Sequence, residues 1–210
     1  MKKLVLVGGG GHAKVLAGEL MRLGEYGLLG YTALHDAGPL LGLPFLGGDE
    51  ILAGIIRSHP GCAAALGIGT VNTSEFRKAV FLSLRDQGFE FPAIISPHAV
   101  VGEETALGDA TVVFAGAVVN PGVRFGRGVI VNTNASVDHD GQIGDFVHIA
   151  PGATLSGGVS VGDFSFIGTG ASLIQGVRIG SKCLIGAGAV VTKDCLEAGT
   201  YVGVPARRKG

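Results

Sequence analysis

Ile143-Gly144-Asp145-Phe146-Val147-His148-Ile149-Ala150-Pro151-Gly152-Ala153-Thr154-Leu155 carries the pattern that decides the fold: an aliphatic residue returns at every sixth position, at Ile143, Ile149 and Leu155. The spacing extends upstream through Val137, Val131, Phe125, Val119, Val113 and Leu107 to Val101, and downstream through Val161, Ile167, Leu173, Ile179 and Ile185 to Val191. No insertion breaks it, and Phe125 is its one non-aliphatic stop. A helix repeats at about 3.6 residues and a strand at about 2, so a period of six fits neither. It fits a short strand and a tight turn repeated many times. Three such units close a triangular coil of about eighteen residues, with the aliphatic side chains stacked inward and Gly or Asn supplying the unusual corner angles. The sequence therefore predicts an all-β parallel β-helix of about five coils over residues 96–192.

Composition agrees with a turn-rich globular protein. Of 210 residues, 38 are Gly and 8 are Pro, while 47% are hydrophobic and 16% charged. The length suits one ordinary domain or two small ones. A formal net charge of −1 gives no general attraction to nucleic acid or to an anionic membrane. No apolar run reaches the ~18 residues of a membrane span. Leu4–Val7 after Met1-Lys2-Lys3 is cut short at Gly8 with no small-residue cleavage site, which argues against a secretory leader. Cys62, Cys183 and Cys195 have no metal-type spacing and read as free or buried thiols in a reducing compartment. A soluble, cytoplasmic protein without a membrane span is expected.

Residues 1–95 alternate strand and helix. Lys3–Val7 reads as a buried strand, Gly8–His12 as a loop, and Ala13–Leu23 as a helix with Val15, Leu16, Leu20 and Leu23 on one face, stopped by Gly24. Leu28–Thr32 is a strand, Asp49–Ser58 a helix and Ala63–Ile68 a strand. Thr73–Gln87 is a helix with Phe76, Val80 and Leu84 on one side, and Phe89–Ile95 a last strand. This is the order of a small Rossmann-like α/β domain. A glycine loop between the first strand and first helix suits a phosphate, and Gly8-x-Gly10-x-x-Ala13 also matches the dinucleotide fingerprint. No acid stands at Tyr31-Thr32-Ala33-Leu34 to hold a ribose, and about ninety residues are too few for a full dinucleotide fold. A nucleotide or sugar-nucleotide site, a plain tight turn and a dinucleotide site are the three readings of the loop.

Within the repeat, Asp138-His139-Asp140 is the densest ionisable cluster. His139 lies two residues past the inward Val137, at or beside a corner, where it can project outward. A carboxylate beside an imidazole holds its tautomer and raises its basicity, which suits a general base; a solvated corner with an incidental histidine is the plain alternative. His139 and His148 are nine residues apart, half a coil, so a histidine metal site would need His98 or a second subunit, and no metal is expected.

The hexad [LIV]-G-x-x-x-x resembles the hexapeptide-repeat family, whose β-helix is left-handed. The resemblance spans nearly the whole chain through Gly8-Gly9-Gly10-Gly11-His12-Ala13-Lys14-Val15, Ser96-Pro97-His98-Ala99, Val131-Asn132-Thr133-Asn134, Asp138-His139-Asp140, Ile143-Gly144-Asp145 to His148, and Val202-Gly203-Val204-Pro205-Ala206. Together these look like the sugar-nucleotide acetyltransferases of the bacillosamine, perosamine and sialic-acid type. The resemblance implies a general base at His139, oriented by Asp140 where the family often has Glu. It implies acetyl-CoA contacts at His148, Gly157, Thr169 and Ala187, and a C-terminal tail, 193–210, near the adenine end of CoA at Val204-Pro205. It implies nucleotide contacts at Gly10, Gly11, His12 and Gly69, while the acidic pair some members carry after the second strand is missing at Ala33-Leu34. A homotrimer with the acyl donor between adjacent prisms follows from the same likeness. The implied reaction is direct acetyl transfer from acetyl-CoA to the amine of a nucleotide-linked sugar of the UDP-4-amino type, with the backbone N–H of Gly157, one coil above His139, facing the developing oxyanion. O-acetylation of a sialic-acid-like sugar and a non-catalytic sugar-nucleotide-binding protein are the alternatives.

Overall fold

The computed structural model describes residues 1–36, 38–73 and 75–209. Ala37, Ser74 in the predicted helix 73–87, and Gly210 in the predicted tail 193–210 lie outside the described residues. The chain divides into two compact units, Met1–Gly69 with Phe76–Pro97, and Thr70–Glu75 with the residues from His98 onward.

The first unit is built on β1 (Lys2–Val7), α1 (Gly11–Leu23), β2 (Tyr26–Thr32), β3 (Phe45–Gly47), α2 (Leu52–Ser58), β4 (Ala63–Leu66) and α3 (Phe76–Asp86). Its four strands are all parallel in the order β3-β2-β1-β4. Leu4–Val7 and Ala63–Leu66 are buried throughout, as strands covered on both faces must be. The connection from β1 runs outward to β2 and β3, then returns across β1 to β4, so the strand order reverses between β1 and β4. The carboxyl ends of those two strands form the switch point at which α/β sheets bind ligands.

Several boundaries differ from the sequence reading. Helix α1 begins at Gly11, so Gly11 and His12 belong to its first turn and not to the loop. It does stop at Gly24, whose φ of 64° lets its N–H reach Leu20 O at 3.2 Å. Val15 and Phe76 point to solvent; Ala13, Ala17 and Glu19 fill the inner face of α1, and Arg77, Phe81 and Leu84 that of α3. The predicted helix 49–58 opens with a 3₁₀ turn at Asp49–Ile51, and the short strand β3 is unforeseen. Only Ile94–Ile95 of the predicted strand 89–95 is extended, with a single bridge between Ala63 and Glu90 upstream.

The second unit bears out the hexad. Two-residue strands stack in three parallel ladders with a constant offset of one coil. One ladder contains Arg124–Phe125, Gln142–Ile143 and Ser160–Val161; another Ile130–Val131, His148–Ile149 and Phe166–Ile167; the third Ser136–Val137, Thr154–Leu155 and Ser172–Leu173. Every predicted stop from Val113 to Val191 is at most 5% exposed, while Val101 and Leu107 at the first coil are only partly covered. A second inward column, two residues earlier, runs through Ala117, Val123, Ala135, Val147, Ala153, Ser165, Ala171 and Cys183. Its residues are small because three of them must meet near the axis of each coil.

Glycine serves two ends here, and only one is the corner role expected from the sequence. Every sixth residue from Glu104 to Gly188 has φ between 56° and 77°, and Asn134, Asp140, Phe146 and Lys182 are among them. The glycines that directly follow the aliphatic stops do something else: a Cβ on Gly162 or Gly168 would lie 2.5 or 2.6 Å from the backbone nitrogen of the next coil. They allow coil-to-coil contact. Beyond the last hexad, Gly199–Val202 continues the second ladder beside Cys183–Ile185, and Arg207–Arg208 folds back antiparallel on it.

The column's weight can be measured. Ile149 is fully buried between Val131 and Ile167. Ile149→Ala should destabilise the protein by about 2–5 kcal/mol, the range for a large-to-small change in a close-packed core. Urea unfolding at fixed protein concentration checks this; a change below about 1 kcal/mol would show that the column relaxes around the missing atoms.

Candidate active site

The chain leaves the Ser136–Val137 strand through Asp138, reaches a corner at His139 and turns in the left-handed region at Asp140, φ 60°. That turn ends the strand's alternation, and neighbouring side chains can meet: His139 Nδ1 and Asp140 Oδ2 are 2.9 Å apart. An ionised carboxylate only accepts, so Nδ1 carries the hydrogen and the lone pair of the neutral ring lies on Nε2. Both side chains are more than half exposed. Asp138 fixes the corner from beneath, its Oδ1 accepting from the His139 backbone N–H at 2.8 Å and from Asn120 Nδ2 at 2.6 Å. The hydrogen bond to Asp140 pushes the imidazole pKa up; slight desolvation opposes this, and the charges of Asp138 and Asp140 add to it. The Asn120 amide and the His139 N–H hold the Asp138 carboxyl below its ordinary range.

The coil above presents Gly157 to this imidazole. A methyl group on Gly157 would overlap His139 Nε2 and lie 2.7 Å from Cε1. Among the described residues no acceptor engages the Gly157 N–H, whereas the carbonyl takes a bond from Gly176 N at 3.0 Å. His139, Asp140 and Gly157 therefore form one group. Thr169 and Ala187 belong to a different corner, one above the other and separated from His139 by the Ser136–Val137 ladder. His148 lies on the Ile130–Val131 ladder, buried, with both ring nitrogens bonded within the chain.

In the first unit, Gly10 is the extended N-cap of α1, which has no side-chain cap and no acid in its first turn. A Cβ on Gly10 or Gly11 would meet nothing within 4 Å, so both face open space. Gly69 lies against His12, where a Cβ would come within 3.0 Å of that side chain's own Cβ. Gly10, Gly11, His12 and Gly69 thus converge beside the switch point between β1 and β4, at the positive end of a helix dipole.

The pattern described as "Bacterial transferase hexapeptide (six repeats)" matches residues 158–193. A comparison with curated protein sequences gave no match. Among solved structures, the acetyltransferase domain of PglB from Neisseria gonorrhoeae is 36% identical over all of both chains, with a TM-score of 0.93. PerB from Caulobacter crescentus, in complex with CoA and GDP-perosamine, is 38% identical over 100% of this chain and 98% of its own, with a TM-score of 0.90. WeeI from Acinetobacter baumannii is 26% identical over the full length of both, with a TM-score of 0.88.

The chain belongs to the hexapeptide-repeat sugar-nucleotide acetyltransferase family. Its prism is accordingly the left-handed parallel β-helix of that family, joined to a small Rossmann-like domain.

Two features of this family member escape a reading of its sequence. Asp36 lies four residues beyond β2, where its carboxylate accepts from Tyr31 OH at 3.2 Å and from Gly38 N at 2.8 Å. It brings an acid near the carboxyl end of β2, although Ala33-Leu34 has none. Asn120, one coil below, donates to Asp138 and so supports the corner that carries His139, and the eighteen-residue step from Asp138 was the available signal. No helix among the described residues is long and apolar enough to cross a membrane, and no group of three or more His, Cys, Asp or Glu among them is placed to hold a metal ion.

Proposed function

We propose that this acetyltransferase moves the acetyl group of acetyl-CoA to the amine of a nucleotide-linked 4-amino sugar, in its UDP form, with His139 as general base. The observation that carries the reading is the His139–Asp140 pair on an exposed corner with Nε2 turned toward the Gly157 backbone. The amine nitrogen attacks the thioester carbonyl while its proton passes to His139 Nε2; the amide C–N bond forms, the C–S bond breaks, and CoA leaves as the thiol. Asp140 keeps the hydrogen on Nδ1 and stabilises the imidazolium. The Gly157 N–H donates to the oxyanion. Gly10, Gly11, His12 and Gly69 take the nucleotide, its diphosphate at the start of α1. The PerB relative holds CoA and GDP-perosamine, and the PglB domain has been solved with acetyl coenzyme A, which supports both substrate classes.

Thr169 and Ala187 are one flat face away from His139 along the same prism. We place the pantetheine between neighbouring prisms of a homotrimer, with Thr169 and Ala187 from one copy and His139 with Gly157 from the next; the tail at Val204-Pro205 would then meet the adenine. Equilibrium sedimentation tests the assembly, and a monomer at micromolar concentration would rule out a shared groove. Since acetyl-CoA is an intracellular metabolite, the reaction belongs in the cytoplasm.

Thiol release from acetyl-CoA, followed across UDP- and GDP-linked amino sugars and free sialic acid, tests the reaction. Release with a UDP-amino sugar supports it; release with sialic acid alone would make the enzyme an O-acetyltransferase, and no release with any acceptor would remove the catalytic reading.

The pH profile gives a separate check. The neutral imidazole is the active form and its pKa is raised above the ordinary 6.5, so kcat/KM should climb with pH through a midpoint above that value. Asp140→Asn removes the bond that raises it, and the midpoint should move toward lower pH as kcat falls. An unmoved midpoint would mean that another group titrates.

A further inference from the structure

Asp140 reaches His139 with one carboxylate oxygen, and its other oxygen rests on the coil below. Oδ2 lies 2.9 Å from His139 Nδ1. Oδ1 lies over the Cα of Gly122, where a Cβ would come within 2.8 Å of it and within 3.8 Å of Cγ. The two oxygens share one rigid plane, so the place of Oδ1 sets that of Oδ2. The Asp140 side chain is 75% exposed, and among the described residues no second hydrogen bond to the carboxylate fixes its rotation. The backbone beneath it is fixed: Gly122 N–H donates to Glu103 O and Asp140 N–H to Pro121 O, each at 3.2 Å.

The arrangement repeats around this coil. Asn134, Asp140 and Phe146 turn its three corners in the left-handed region, and Gly116, Gly122 and Gly128 stand eighteen residues before them. A Cβ on Gly116 or Gly128 would overlap the Asn134 or Phe146 side chain. A side chain at such a corner lies back along the prism, and the residue on which it lies has to be bare. Under Phe146 the bare Cα admits an apolar ring and serves packing. Under Asp140 it admits the carboxylate that keeps the hydrogen on His139 Nδ1.

From this geometry we infer that Gly122 is a positioning residue for the His139–Asp140 pair: its bare Cα is the slot in which the Asp140 carboxylate lies, and that slot turns Oδ2 to Nδ1. The inference rests on the reading of His139 as general base. It places the support of the base on both neighbouring coils, with Gly157 clearing space above the ring and Gly122 clearing space below its partner.

Gly122→Ala puts a methyl group against Oδ1, and the exposed carboxylate turns into solvent to avoid it, which takes Oδ2 from Nδ1. An NMR titration of the imidazole, its resonances assigned by their absence in His139→Ala, reads this directly. Asp140 and Asp138 are the charged groups acting on the ring, and the corners stacked above and below, Ser156-Gly157-Gly158 and Asn120-Pro121-Gly122, carry no charge. The midpoint is raised by the bond to Asp140, so in Gly122→Ala it should fall toward the ordinary 6.5. Turnover should drop about 10–100-fold, the worth of one hydrogen bond to a charged group. In an Asp140→Asn background Gly122→Ala should move the midpoint no further, since both changes act on one bond. Gly152→Ala is the control for backbone strain: its φ is 66° and no atom lies within 4 Å of a Cβ, so the midpoint should stay. Gly122→Asn brings the same Cβ with a residue that the left-handed region accepts, as at Asn134, and should lower the midpoint even if the alanine variant does not fold. An unmoved midpoint in a folded Gly122 variant, an equal fall in Gly152→Ala, or a further fall beyond that of Asp140→Asn would each overturn the inference. The titration needs no turnover; a fallen midpoint together with full activity of His139→Ala would sink the general-base reading and spare the slot.

Discussion

His139→Ala should lower kcat by about 10²–10⁴-fold, the usual contribution of a positioned general base, while the affinity for the nucleotide stays within twofold. The asymmetry follows from placement. The imidazole stands on an exposed corner of the β-helix, bonded through Nδ1 to Asp140, and Gly10–His12 at the start of α1 belongs to the other compact unit. Alanine removes the base without disturbing a buried contact, so thermal stability should also hold. Kinetics with saturating acetyl-CoA, together with calorimetric binding of UDP or GDP, separates the two quantities. Unchanged turnover would take His139 out of the reaction. A loss of nucleotide affinity as large as the loss of turnover would mean that the residue supports the fold and not the chemistry.

The second large effect is expected one coil higher. Gly157→Ala adds a single methyl group, yet that methyl would occupy space held by the His139 ring, overlapping Nε2 and lying 2.7 Å from Cε1. The imidazole has to swing away, which breaks the 2.9 Å bond to Asp140 or turns Nε2 from its approach. A catalytic group displaced by about 1 Å can lose about 10²-fold, and disturbing an oxyanion donor costs about 10²–10³-fold. We expect kcat to fall by at least about 10²-fold with the KM for nucleotide sugar little changed. Gly158→Ala is the companion: no atom lies within 4 Å of a Cβ there, but its φ of 67° makes an L side chain strained. Its penalty should appear in stability and not in kcat. A Gly157→Ala enzyme with full activity would show that no thioester passes between this glycine and the imidazole.

The hexad made the β-helix legible because a buried column has to be apolar at every turn, and a single misplaced charge would leave an unpaired group inside. The second column was not legible in the same way. Ala117, Ser165, Cys183 and Val123 share small size and not hydrophobicity, and size at the axis is set by how closely the three sides approach. The glycines after the aliphatic stops were assigned to corners by their conformational freedom, but they answer to the backbone of the next coil, a contact between residues eighteen apart. In the first unit the alternation of strand and helix came through, while Val15 and Phe76 did not, since a three- or four-residue spacing cannot say which of two neighbouring stripes meets the sheet.

The site divides along the same line. Asp138-His139-Asp140 announced itself because ionisable groups are rare in the repeat, and the eighteen-residue period pointed from His139 to Gly157. The likeness to known sugar-nucleotide acetyltransferases named Gly10, Gly11, His12 and Gly69 as one group, and the sheet order β3-β2-β1-β4 gives the reason they meet, beside the β1/β4 switch point.

By itself the sequence determined the period, the inward column and the order of the first elements, and it singled out Asp138-His139-Asp140 as the candidate cluster. Those depend on local spacing and on which side chains tolerate burial, and both are written along the chain. Tertiary structure decided the placing of the Asp140 carboxylate over Gly122 and the stacking of Gly157 over His139. These depend on which groups stand together in space, and only the closing of the coils brings such partners together.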